Sequence, residues 1–166
     1  MMLLRTSRIA LLALLLALTA CGFQLRNTTG LAFKNLYMQG SKLTINKNLT
    51  RSLQVNGVTV VDNPEKAELF LEMLSEQREQ KILSLSGSGK VREFEVIYRV
   101  TFRLRNPTSE IWGPVQAVEN RRDFSYDDSQ LLAKQLEEER MLEDMRNAAA
   151  REIMRLLVVQ KPKDGA

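Results

Sequence analysis

The clearest feature of the sequence is a regular alternation of apolar and polar residues from Arg92 to Arg105. A period of two places successive side chains on opposite faces of an extended strand. The apolar positions are Phe94, Val96, Tyr98, Val100, Phe102 and Leu104. The pattern therefore predicts a long strand with one face towards a core and one charged face towards solvent.

Four further segments combine short apolar runs with turn-forming boundaries, which is typical of strands. They are residues 36–38, 58–61, 68–85 and 111–124. Ser86–Gly89 has the composition of a hairpin tip between the third of these segments and the alternating strand. Gly113-Pro114 predicts an edge position or a bulge near the start of the last segment, because proline cannot donate a ladder hydrogen bond.

Two other segments have the period of a helix. In the first, Ile45, Leu49 and Leu53 recur every four residues, which places them on one helix face. Asn56-Gly57 predicts the end of this helix, because glycine readily adopts the left-handed conformation that follows a last turn.

The second helix is expected from about Ser129 to Val159. Asp127, with Gln130 three residues later, indicates a capping box at its start, and Lys161-Pro162 indicates its end. Its predicted core stripe consists of Leu132, Leu136, Leu142, Met145, Ala149, Ile153 and Leu156. Together, the patterns predict an α+β domain with two helices and four or five strands.

Residues 1–20 have the layout of a secretory signal. Arg5 and Arg8 precede an uninterrupted apolar stretch, and Leu18-Thr19-Ala20-Cys21 is typical of a bacterial lipobox. We therefore expect cleavage before Cys21 and a covalent lipid on its thiol, with no other cofactor. One alternative is an uncleaved anchor, which the length disfavours because a spanning helix needs about 20 apolar residues. Another is an ordinary signal peptide whose cysteine is incidental.

The predicted cleavage leaves 146 of the 166 residues, a length that suits one domain. We expect a lipidated and polar tether over 21–30, a single domain over 31–160 and a short tail over 161–166. The mature chain would carry a net charge of only +2, because the signal holds two of the 24 basic residues and none of the 20 acidic ones. Its one cysteine cannot form a disulfide within the chain, so stability must come from an ordinary core.

The composition argues against an enzyme. The chain has no histidine, and lipidation would remove its only thiol, so the usual general base, metal ligand and thiolate are missing. The remaining carboxylates, Asp127-Asp128 and Glu137–Glu139, are predicted at a helix start and on a helix surface, where nothing would raise their pKa values. Gly87-Ser88-Gly89-Lys90 lacks the length and the following helix of a phosphate-binding loop. We therefore expect a non-enzymatic binding protein with no metal.

Basic residues cluster around the predicted hairpin tip and along the strand faces. They are Arg78, Lys81, Lys90 and Arg92 near the tip, and Arg99, Arg103, Arg105, Arg121 and Arg122 on the strands. One interpretation is a site for an anionic ligand such as a lipid head group. The other is a solvated face of mixed charge, because Glu76, Glu79, Glu93 and Glu95 are interleaved with these residues. Nucleic acid is not an expected partner of an exported lipoprotein.

Several short motifs resemble, in order and spacing, the LptE family of lipopolysaccharide-assembly lipoproteins. They are Cys21–Thr29, Leu53–Val58, Glu93–Val96, Phe124, Leu132-Ala133-Lys134, Glu137, Asp144-Met145, Ala149-Ala150 and Ile153–Leu157. The resemblance implies a two-layer α+β sandwich, in which about four strands form a sheet packed against two helices. It also implies an outer-membrane lipoprotein, anchored on the periplasmic side. Such a protein plugs the large LptD β-barrel in a one-to-one complex, helps to assemble it and helps to deliver lipopolysaccharide to the outer leaflet.

The resemblance further implies lipopolysaccharide binding through basic residues at two places. Lys134 matches a lysine at the entry to the family's last helix. The family's basic residue at the hairpin tip has no equivalent within Ser86–Gly89, so Lys90 and Arg92 are the nearest substitutes. Lys134 also has a simpler interpretation, as a solvated helix residue that pairs with an acidic residue at i+3 or i+4.

Two other functions stay open at this point. A lipid carrier would need a large apolar cavity between sheet and helices, whereas the helix stripe and the strand faces match for direct packing. A pilotin-like assembly lipoprotein for another outer-membrane machine would share the anchor but should be mostly helical. The alternating strand argues against that class.

Overall fold

The structure of the protein is a computed structural model that describes residues 30–160. The predicted signal sequence, Cys21, most of the predicted tether and the predicted tail 161–166 lie outside the described residues. Within them are five strands and two α-helices, joined by turns that include two short 3-10 helices. The elements are β1 (Asn35–Gly40), α1 (Ile45–Val55), β2 (Thr59–Val61), a 3-10 helix (Pro64–Lys66), β3 (Leu69–Leu85), β4 (Val91–Arg105), β5 (Gln116–Ser125), a second 3-10 helix (Asp128–Gln130) and α2 (Leu131–Val158).

The strands form one mixed sheet in the order β2-β1-β3-β4-β5. β1 pairs in parallel with β2 and with β3, whereas β3, β4 and β5 form an antiparallel meander. The predicted α+β class, with a sheet packed against two helices, is confirmed. The sheet has five strands rather than about four, because the three residues of β2 add a short strand beside β1.

Glycine ends β1 and follows the last turn of α1. Gly40 has a φ of +94°, and a Cβ atom there would lie 2.3 Å from the carbonyl oxygen of Met73. Only glycine therefore allows β1 to run this close to β3 before the chain turns towards α1. Gly57 has a φ of +79°, which confirms the predicted stop after α1.

The core lies between one face of the sheet and the two helices. Ile45, Leu49 and Leu53 of α1 are fully buried, as their spacing predicts. Alternate residues of β4 from Val96 to Leu104 are also buried, which confirms the core face of this strand. Ala149 of α2 is fully buried too, because a small side chain lets the helix approach the sheet closely.

The segment before β5 differs from the prediction. The strand begins at Gln116 and not near Ile111. Gly113 instead donates a backbone hydrogen bond of 2.8 Å to the carbonyl oxygen of Leu104. This contact brings Trp112 over the guanidinium groups of two β4 arginines, at 4.8 Å and 5.2 Å from its ring centre. Residues 111–115 therefore fold back along the sheet face opposite the helices, which we call the outer face.

The predicted capping box of α2 is wrong. The Asp127 side chain accepts hydrogen bonds from the backbone N–H and the hydroxyl of Ser129, and its carbonyl accepts the Gln130 N–H at 3.1 Å in the 3-10 turn that precedes the helix. Gln130 is the residue before the first turn of α2 and makes no side-chain capping bond. A local bond between residues two apart thus replaces the expected reciprocal bonds across three residues.

The prediction that Leu132 and Leu136 belong to the core stripe of α2 is also wrong. Leu132 is 73% exposed and Leu136 is 52% exposed, although both continue the helical period of the buried residues further along. This side of α2 is covered by α1, whose Asn48 bonds to Glu143 and Asn147 at 2.7 Å and 2.8 Å. Among the described residues, α1 does not extend along α2 as far as the two leucines, so both stay exposed.

The exposure of these leucines predicts that the fold does not depend on them. Changing Leu132 or Leu136 to glutamine, a good helix former, is expected to alter the free energy of unfolding by no more than about 0.5 kcal/mol. Denaturant unfolding followed by the fluorescence of the single tryptophan measures this. A loss of several kcal/mol would show instead that the leucines belong to the core.

Candidate functional site

Two adjoining depressions lie where the β3–β4 hairpin, the end of β5 and the start of α2 meet. Their volumes are about 610 Å³ and about 600 Å³. Both are lined by Arg92, Tyr126 and Asp127, while Lys134 lines the first and Lys90 the second. We call this joined surface the hairpin cleft. It brings together all three basic residues predicted to contact lipopolysaccharide.

Strand pairing positions Arg92 and Tyr126 in the hairpin cleft. Phe94 of β4 stands opposite Phe124 of β5, and the backbone N–H of Tyr126 donates to the carbonyl of Arg92 at 2.7 Å. The ring of Tyr126 meets the ring of Phe94 edge-on, with centroids 5.7 Å apart. The end of β5 is therefore held against β4, which places Arg92 beside Tyr126 in the cleft.

Hydrogen bonds order the hairpin tip on the other side of the cleft. The backbone N–H of Ser86 donates to the carbonyl of Lys90 at 2.7 Å, and that of Lys90 donates to the Ser86 hydroxyl at 3.0 Å. Gly89 takes a φ of +79° to close the turn. The glycine-rich tip thus forms the predicted turn and sets Lys90 at its base.

Lys134 is held in place by three contacts. Its Nζ atom donates to the hydroxyl of Ser125 at 3.1 Å and to Glu137 at 2.8 Å, and it lies 5.3 Å from the ring centre of Phe124. The side chain is only 16% exposed. The i+3 pair of the simpler interpretation is therefore present, but the contacts with β5 fix the ammonium group at the cleft, unlike that of a freely solvated lysine.

The pKa of Asp127 depends on several neighbouring groups of the hairpin cleft. Hydrogen bonds from the Ser129 side chain and backbone hold the pKa of the Asp127 carboxyl below its usual range, and the positive charges of Lys134 and Lys90 lower it further. Both lysines therefore act electrostatically on one carboxylate. The cleft thus combines three basic residues with two acidic ones, Asp127 and Glu93.

Three arginines of the outer face form ion pairs with glutamates. Arg99 and Arg121 both bind Glu119, and Arg103 binds Glu72. This network supports the interpretation of a solvated face of mixed charge for these strand residues. The sequence pattern also placed Ile97 on this charged face, yet Ile97 is only 4% exposed. Its neighbours across the strands, Glu79 and Arg121, are long enough to cover it.

A second polar cluster was missed by the sequence interpretation, which treated Glu76 as one of several surface charges. Glu76 on β3 accepts bonds from the backbone N–H and hydroxyl of Thr44, at 2.6 Å and 2.5 Å, and from the Tyr98 hydroxyl at 2.6 Å. Burial alone would raise the pKa of Glu76, but these hydrogen bonds outweigh it and hold the pKa below its usual range. Burial and the bond to Glu76 raise the pKa of Tyr98. The carboxylate thus caps α1, which no local pattern indicates because the partners lie about 30 residues apart.

Two further observations concern the described residues. Over 30–160, no helix is long and apolar enough to cross a membrane. Across the same range, no group of three or more histidine, cysteine, aspartate or glutamate residues is placed to hold a metal ion.

The fold and the cleft define a small α+β binding domain. Two solved structures share this fold. Lipoprotein B from Nitrosomonas europaea, solved by NMR, is 38% identical, with a TM-score of 0.69, covering 81% of this chain and 88% of that one. Rare lipoprotein B from Shewanella oneidensis is 29% identical, with a TM-score of 0.66, covering 75% and 93%. The five-stranded sheet of this chain argues against a mostly helical pilotin.

Sequence comparison identifies the family. The model of the LptE family, described as lipopolysaccharide-assembly, matches residues 31–157. The LPS-assembly lipoprotein LptE of Yersinia enterocolitica is 29% identical over 155 residues, covering 90% of this chain and 74% of that protein. That of Yersinia pestis is 29% identical over 154 residues, covering 89% and 73%. The chain belongs to the LptE family of lipopolysaccharide-assembly lipoproteins, and its place is therefore the cell envelope.

Proposed function

We propose that the protein is an outer-membrane lipoprotein, held on the periplasmic side by lipid on Cys21. It plugs an LptD-type β-barrel in a one-to-one complex, helps to assemble that barrel and helps to deliver lipopolysaccharide to the outer leaflet. The family assignment and the lipobox-like Leu18–Cys21 support this proposal. In this scheme 1–20 are removed, 21–30 form the tether, 31–160 form the plug and 161–166 form a tail.

The observation that carries the lipid contact is the convergence of Lys134, Arg92 and Lys90 on the hairpin cleft. Ammonium and guanidinium groups bind phosphate through charge-assisted hydrogen bonds, which are about twice as strong as neutral ones. The phosphates of lipopolysaccharide supply such acceptors. The three cations line depressions of about 610 Å³ and about 600 Å³, which supports a phosphate site in the hairpin cleft rather than on the outer face.

The outer face suits the proposed barrel. The lumen of an outer-membrane barrel is polar, so a plug must present charged and hydrogen-bonding groups to it. The ion pairs around Glu119 and Glu72 give the outer face this character. Acyl chains on Cys21 would raise the local concentration of the domain near the barrel.

The proposed role involves no catalytic step. A general acid or base that works near neutral pH needs a pKa close to that value. The hydrogen bonds described above instead hold the pKa values of Asp127 and Glu76 below the usual carboxyl range. These two groups therefore act as fixed charges that position their neighbours.

Charge reversal in the cleft tests the lipid contact. Lys134→Asp and Arg92→Asp are each expected to weaken binding of purified lipopolysaccharide by the mature chain about tenfold or more, because each replaces an attractive charge by a repulsive one. Lys66→Asp is the matched control, since Lys66 is an exposed lysine outside the cleft. Binding of wild-type strength by folded Lys134 and Arg92 variants would reject the proposed contact.

Purification from envelope membranes tests the barrel partner. A stable one-to-one complex with a very large β-barrel protein is the expected result. Recovery of the free lipoprotein loaded with lipid would favour the lipid-carrier function instead.

A further inference from the structure

Exposed apolar side chains concentrate at one end of the domain. In the part of the chain that the structure describes, nine large apolar side chains are exposed, and five of them lie at the end of β3 and in the first turns of α2. These five are Ile82, Leu83, Leu85, Leu132 and Leu136, which we call the aliphatic patch. Contiguous apolar surface on a soluble domain marks an interaction site more often than single exposed residues do.

The two helices leave the C-terminal half of β3 uncovered. From Gln77 to Leu83 every residue of β3 is exposed, whereas Val96 of β4, opposite Gln80, is fully buried. Glu138 of α2 reaches across to bind Arg78 and Gln80, so the helix borders this strip of β3 without covering it. Ile82 continues the strip towards the hairpin tip and is 58% exposed.

The leucines of α2 lie on the side of the helix that α1 covers elsewhere. Leu132 and Leu136 are in line with Glu143 and Asn147, the residues to which Asn48 of α1 bonds. Within residues 30–160, the two leucines lie beyond the start of α1 and are exposed. The aliphatic patch is therefore apolar surface that the fold does not use.

The aliphatic patch meets the hairpin cleft at one residue. Leu85, which is 56% exposed, lines the same depression as Arg92 and Lys134. Aliphatic side chains thus stand directly beside the cationic groups. This combination has the chemistry of an amphiphile site, in which an anionic group binds the bases and its hydrocarbon covers the adjacent apolar residues.

We propose that the aliphatic patch holds the acyl chains of an anionic lipid whose phosphates bind the hairpin cleft. The inference rests on the proposed function, because it extends the lipid contact of that cleft to the hydrocarbon part of the ligand. Charge complementarity selects this occupant over a protein surface. Arg92 and Lys134 line the same depression as Leu85, and an acylated phosphate is the ligand that matches both the apolar and the cationic surface.

The test uses the mature chain with Cys21→Ser, so that the protein's own acyl chains cannot occupy the patch. The patch variant is Ile82→Thr/Leu132→Gln/Leu136→Gln, which leaves Leu85 of the cleft unchanged and keeps strand and helix propensities. The control is Val55→Gln/Ile111→Thr, which changes two apolar residues that are each 81% exposed in other parts of the structure. The probes are purified lipopolysaccharide and the same molecule with its acyl chains removed and its phosphates retained.

The patch variant is expected to bind intact lipopolysaccharide about tenfold or more weakly, because each lost aliphatic contact removes part of the hydrophobic burial. Its affinity for the deacylated probe should equal that of the wild type, and the control should bind both probes normally. Unchanged affinity for the intact probe, or an equal loss for both probes, overturns the inference. Failure of the proposed lipid contact is a separate result, in which Lys134→Asp and Arg92→Asp leave the binding of both probes unchanged.

Discussion

A Cys21→Ala variant is expected to carry no lipid and to remain an uncleaved precursor. The thiol of Cys21 is the only sulfhydryl in the chain that can accept a diacylglycerol group. One acyl chain gives only marginal membrane binding, with an association constant of about 10⁴ per molar, whereas two or more chains anchor stably. The variant should therefore lose lipidation completely, and with it the stable membrane anchor. Palmitate labelling in cells, together with the apparent mass of the protein, measures both parts of the expected result.

A matched control for this experiment is Thr19→Ala, which changes the neighbouring lipobox residue and keeps the thiol. Thr19→Ala should still be labelled, because the chemistry requires only Cys21 and a small residue is retained. Efficient labelling of Cys21→Ala, or its cleavage to a membrane-bound mature form, would contradict the anchor. Labelling of wild type and control but not of Cys21→Ala would support it.

Glu76→Ala is expected to lower the free energy of unfolding by about 2–4 kcal/mol, because it leaves several polar groups without their acceptor. The Thr44 hydroxyl and N–H, the Ile45 N–H and the Tyr98 hydroxyl all donate to this carboxylate. Tyr98 is only 2% exposed, so water cannot fully replace the lost acceptor. Denaturant unfolding at neutral pH measures the loss. Glu79→Ala is the matched control, since Glu79 is an exposed glutamate on the same strand, and it should change stability by no more than about 0.5 kcal/mol.

The carboxylate of Glu76 should also make the free energy of unfolding depend on pH. Its folded-state pKa lies below the ordinary value of 4.5, so its ionised form stabilises the fold fully above pH 4.5. The contribution is lost as the pH falls below 4.5 through the folded-state pKa. The stability difference between wild type and Glu76→Gln should therefore shrink on acidification. A difference that stays constant from neutral to acidic pH would show that ionisation of Glu76 does not stabilise the fold.

Local sequence patterns correctly predicted the helix and strand that each bury one face in the core. The buried face of β4 follows from its alternation, and Ile45, Leu49 and Leu53 locate α1, because burial and period coincide in both. Leu132 and Leu136 have the same period, but they are exposed. Periodicity identifies the apolar side of a helix, whereas the length of the neighbouring helix decides how far that side is covered.

The candidate site was only partly predictable. Lys134 was singled out through the family resemblance, and Lys90 and Arg92 through their nearness to the hairpin tip. Their convergence depends on the pairing of β4 with β5 and on the 3-10 turn after β5, which the sequence did not indicate. The roles of Tyr126 and Asp127 in the cleft also arise from tertiary contacts. The cap by Glu76 was missed for the same reason, since Thr44 and Glu76 are remote in sequence.

The mixed sheet has a consequence for the order in which the chain folds. Pairing of β3 with β4 starts at a short turn, with Leu85 opposite Val91, whereas pairing of β1 with β3 sets Leu36 opposite Leu69 across a much longer loop. Closing a long loop costs entropy before its contacts can form, so local antiparallel pairs form faster. We therefore expect the meander of β3, β4 and β5 to form first, with β1 and α1 docking afterwards. Glu76, already fixed on β3, would then receive the first turn of α1 as the domain reaches its final state.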